Sequence, residues 1–76
     1  MHLRGKRMMG FIRKQEERLA VRFLVWQYER LKIPAPPAEV LEKQAAKIVD
    51  DAHTIARERG RNVVSIIKEL VQEIRK

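Results

Sequence analysis

Between Phe11 and Leu31 apolar side chains recur at Leu19, Phe23 and Trp26, with Arg30 continuing the line at helical spacing. Ala20, Val21, Leu24, Val25, Tyr28 and Leu31 spread round the rest of that cylinder, leaving a polar strip only near Arg18, Arg22 and Glu29. No Gly or Pro interrupts the stretch, Glu16 and Glu17 lie in its early turns, and Arg30 and Lys32 close it, so propensity and helix dipole agree with the pattern. A helix over residues 11–32 is predicted, and so wide an apolar arc needs cover on more than one side.

Ile33-Pro34-Ala35-Pro36-Pro37 ends that helix, because proline supplies no amide hydrogen and pushes the preceding residue out of helical geometry. Pro37 suits the first position of a second helix, with Glu39 favourably placed near its start. There Leu41, Ala45, Ile48, Ala52 and Ile55 step by fours and threes, flanked by Val49 and Ala56, opposite Lys43, Asp50, His53 and Arg57. Arg57 and Arg59 precede Gly60, a residue suited to a left-handed C-terminal cap, so the second helix is predicted over 37–59. Asn62 then suits an N-cap, and Val63, Ile67, Leu70 and Ile74, widened by Ile66 and Val71, mark a third helix over 62–75. The β-branched run makes a strand conceivable, but this spacing and the Lys68-Glu69 pair inside it favour helix.

The expected fold class is therefore all-α: a small three-helix domain over residues 11–76, preceded by a flexible basic arm over 1–10 that contains Gly5 and Gly10. A chain of 76 residues supports one core, and association would supplement its modest stability. The chain has no cysteine, which removes disulfides, thiolate metal sites and thiol nucleophiles. Apolar runs such as Phe23-Leu24-Val25-Trp26 fall far short of the roughly 20 residues that cross a bilayer. With no secretory signal pattern either, the cytoplasm is the expected compartment and a membrane partner is not expected.

Charge changes the picture at one end. The chain has 17 basic against 10 acidic residues, and Arg4, Lys6, Arg7, Arg13 and Lys14 all precede the first acid, Glu16. Those side chains are candidate contacts for an acidic polymer. Met8 and Met9 would serve as alternative starts that delete part of this arm.

Catalytic chemistry finds little to work with, since the chain holds a single serine, Ser65, a single threonine, Thr54, and the histidines His2 and His53. Ser65 falls in the first turn of the third helix, where hydroxyls serve capping. His53 lies one turn after Asp50, a spacing that would orient the ring, but without a second helical histidine it reads as a solvent-facing residue. Asp50 and Asp51 are adjacent, so a helix points them apart. No catalytic residue, metal site, cofactor or small-molecule substrate is predicted, and the chain is not expected to be an enzyme.

The segment Thr54-Ile55-Ala56-Arg57-Glu58-Arg59-Gly60 and the helix after it resemble a helix-turn-helix, with Ala56 four residues before the turn glycine. Arg59 and Arg61 stand where that motif usually buries apolar side chains. The spacing Ala52-x-x-x-Ala56-x-x-x-Gly60-Arg61 is also similar to the end of the long central helix of the histone fold, although Lys68-Glu69 replaces its Asp-hydrophobic pair. That resemblance implies an obligate dimer that bends DNA, with Arg61 near the backbone.

The leading reading is a non-enzymatic interaction module that forms a homodimer or binds a partner protein through its first helix, anchored by Phe23, Trp26 and Tyr28. The alternative is a small DNA-binding protein that uses the hairpin at 52–71 and the arm, through Arg4, Lys6, Arg7, Arg13, Lys14, Arg59 and Arg61.

Overall fold

A computed structural model describes residues 2–74 of the chain, with side chains from Ile12 onward. Among these residues the secondary structure is three helices and no strand: α1 over His2–Leu31, α2 over Ala38–Arg59 and α3 over Val63–Gln72. The all-α class expected from periodicity is the fold observed.

The helical backbone of α1 begins at His2, so it continues through the segment read from sequence as a flexible arm. Isolated glycines explain the difference: each weakens a helix by about 1 kcal/mol, but neither Gly5 nor Gly10 removes a hydrogen bond as proline does. At the other end the amide of Ile33 donates to the Tyr28 carbonyl at 3.0 Å, and that of Lys32 to Glu29 at 3.1 Å. These bonds close the terminus, with Lys32 itself at φ 58°.

Pro37 sits at the N-cap of α2, one position outside the helix. Gly60 ends α2 in the left-handed conformation expected of it, and both its amide and that of Arg61 donate to the Ala56 carbonyl. The Asn62 side chain caps α3 by accepting from the amides of Val64 at 2.8 Å and Ser65 at 3.4 Å. That leaves the first turn of α3 capped by Asn62 rather than by the Ser65 hydroxyl.

Each helix packs against the other two. Glu16 meets His53 while Tyr28 meets Gln44, so α1 and α2 run in opposite directions, and Gln27 meets Gln72 where α3 runs back alongside α1. The core joins Ala20, Leu24 and Tyr28 to Leu41, Ala45, Val49, Ala52 and Ala56, and to Ile66, Ile67 and Val71. On α2 the buried line runs through Val49 and Ala56, with Ile48 and Ile55 packed at its edges, a small rotation from the stripe read in sequence. Small side chains face the line of closest approach, and the larger isoleucines fill the wedges beside it.

Candidate interaction surface on helix α1

Of the cations singled out in the sequence, two are held within the domain. Arg13 donates from Nε to Glu17 at 2.7 Å and from its terminal nitrogen to Asp50 at 2.8 Å and the Ala46 carbonyl at 3.4 Å. It clasps α1 to α2, and hydrogen bonding to Glu17, then to Asp50, raises its pKa above the ordinary arginine value. Arg61 pairs through both terminal nitrogens with Glu69, at 3.3 and 2.5 Å, and this hydrogen bonding holds the Glu69 carboxyl below the usual carboxylate range. Arg59 is exposed and its charge reinforces that effect. Arg13 thus ties α1 to α2 and Arg61 ties the link after α2 to α3, so neither is a free contact. Arg4, Lys6 and Arg7 lie outside the residues whose side chains are described.

The aromatic anchors separate in the same way. Tyr28 is buried, 9% exposed, between Leu24 and α2, and its hydroxyl lies 3.3 Å from the Gln44 amide nitrogen. It belongs to the core and is removed from the set of interface residues. Phe23 is half-buried against that core. Trp26 stands 43% exposed, with the Arg30 guanidinium 4.7 Å over its ring, a cation–π contact.

Lys14, Arg18, Arg22, Trp26 and Arg30 recur every fourth residue, and all are exposed. Spacing of four builds a continuous diagonal ridge on a helix, about 6 Å per step and about 24 Å long. Among the described residues Lys14, Arg18 and Arg22 have no ion-pair partner. A groove of about 710 Å³ lies on the α2 side of this ridge, floored by Val21, Leu41 and Ala45. Another of about 530 Å³ lies on the α3 side, with Ile12, Leu19 and Val64 as its apolar lining and Arg18 and Arg22 along its rim.

Two interactions were not visible in the sequence pattern. His53 Nε2 lies 2.7 Å from Glu16 Oε1, so its carboxylate partner comes from α1, and Asp50, the partner suggested by spacing, is taken by Arg13. Gln27, 6% exposed, sends its amide to the carbonyls of Gln72 and Ile74, each at 3.4 Å, and so holds the last turn of α3 to α1. Its only signal was a polar side chain inside the apolar arc.

The other polar groups are engaged locally. The Thr54 hydroxyl donates to the Asp50 carbonyl at 3.3 Å, one turn back. Among the described residues no group of three His, Asp or Glu side chains converges as a metal site would require, and no helix is long and apolar enough to cross a membrane. Within α3 the outward face offers Lys68 beside Glu69, and Glu69 is already the partner of Arg61. Comparison with protein-family models, curated proteins and solved structures returned no match. Fold and surface together define a class: a three-helix domain with a cationic ridge interrupted by one exposed tryptophan.

Proposed function

We propose that this chain is a non-enzymatic interaction module that binds an acidic macromolecule through the outer face of α1. The observation that carries the reading is the unpaired row Lys14, Arg18 and Arg22 running into Trp26 and Arg30. Three like charges on successive turns repel one another, so the row lowers the stability of the domain and rewards a partner that supplies carboxylates or phosphates. Arginine and tryptophan are also the side chains that most often dominate binding energy at interfaces. Self-association through this face is the weaker reading, because a two-fold interface sets the same surface against itself and would place cation on cation.

Trp26 is the sole tryptophan and lies within the ridge, which makes its fluorescence the direct test. Titration with polyglutamate at low salt is expected to give a saturable change that high salt removes. A double variant, Arg18→Glu with Arg22→Glu, should keep its helical circular dichroism and lose the response. A native chain that ignores both polyglutamate and duplex DNA at low salt would reject the reading.

A further inference from the structure

We infer that the occupant of this surface is an acidic amphipathic helix of another protein, lying in the α1–α3 groove with its apolar face on Ile12, Leu19 and Val64 and its carboxylates on Arg18 and Arg22. The inference rests on the interaction-module reading above and specifies its partner. Ile12 and Leu19 lie seven residues apart, two turns along one side of α1, and Val64 faces them from the first turn of α3. Ile12 is 49% and Val64 42% exposed, large apolar side chains set beside unpaired cations.

Each class of partner meets only part of that surface, except one. A nucleic-acid backbone would satisfy Arg18 and Arg22 but leave the apolar lining against phosphate and water. A second copy of this chain would bring further cations to the same place. A helix with an apolar stripe flanked by Asp and Glu answers both features together, which is the helix-in-groove mode of recognition. An extended strand has nothing to pair with, because the walls are two helices whose backbone groups bond internally. Glu16, the acid lining the groove, is mostly buried, and its Oε1 lies 2.7 Å from His53 Nε2. The groove is open because α3 has only 10 residues against 30 in α1 and cannot cover the turns of α1 around Ile12.

The test compares three probes on the intact chain: a synthetic peptide with leucines at helical spacing beside a glutamate stripe, a scrambled peptide of identical composition, and duplex DNA. Fluorescence anisotropy of the labelled probes is expected to show about tenfold tighter binding to the amphipathic peptide than to the scrambled one. The double variant Ile12→Gln with Val64→Gln, at positions already exposed, should erase that preference while leaving the weak binding of the scrambled peptide. Equal affinity for the two peptides on the native chain, or tighter binding of DNA than of either, overturns the helix assignment and leaves the interaction module standing. Indifference to all three probes overturns both.

Discussion

A lysine at positive φ is uncommon, because the Cβ of an L-residue crowds the backbone there at a cost of roughly 1–2 kcal/mol. Lys32 takes φ 58° to end α1, the role Gly60 performs at the end of α2 with φ 63°. Lys32→Gly is therefore expected to raise stability by about 0.5–1 kcal/mol in urea denaturation, the relief of strain outweighing the added freedom of the unfolded chain. Gly60→Ala should lower it by about 1 kcal/mol, and purely through the backbone, since no atom lies within 4 Å of the place its Cβ would take. Glu69 carries a different signature. Its carboxyl is held below the ordinary range by Arg61, so the pair contributes stability above the unfolded pKa of about 4.3, and that contribution fades as pH falls through the folded value. In acid titrations followed by circular dichroism, Arg61→Gln should flatten that part of the pH dependence, because the contribution the pair makes at neutral pH is already lost.

At the level of whole helices, Arg13 and the ridge beside it make opposite predictions although both are basic and on α1. Arg13→Ala is expected to cost about 0.5–1 kcal/mol, modest because Asp50 is well exposed and screened, with no effect on polyglutamate binding. Chemical denaturation and the Trp26 titration on that variant check the two halves separately. The sequence could not distinguish Arg13 from Lys14, because charge patterning shows which residues are basic and not which acids a neighbouring helix brings near them. Tyr28 was misplaced for the same reason: it is part of a wide apolar arc, and only packing against Leu24 and Gln44 reveals which side of the arc faces inward. Legibility was high where a residue acts on its own backbone. The proline link, Gly60 and Asn62 all do what their chemistry predicts, and the stripe of α2 was right to within a small rotation. The start of α1 was less legible, since glycine weakens a helix without forbidding it.

The molecule as a whole is elongated, 47 by 28 by 13 Å, with a radius of gyration of 13.4 Å against about 11 Å for a compact domain of this length. Its long dimension matches the roughly 45 Å rise of α1. The two shorter helices cannot cover that length evenly, and α3, about 15 Å long, spans only a third of it. Support for α1 is consequently lopsided. Around Leu24 and Tyr28 it is walled by both neighbours, whereas near Ile12 and Arg13 it leans chiefly on ionic clasps to α2. Deuterium uptake should record this as a gradient, with backbone amides of α1 exchanging faster near Ile12 than near Leu24. The chain is thus built like a hinge pin gripped at one end, and a lever arm of that kind passes any force on its far turns to the clasp at Arg13.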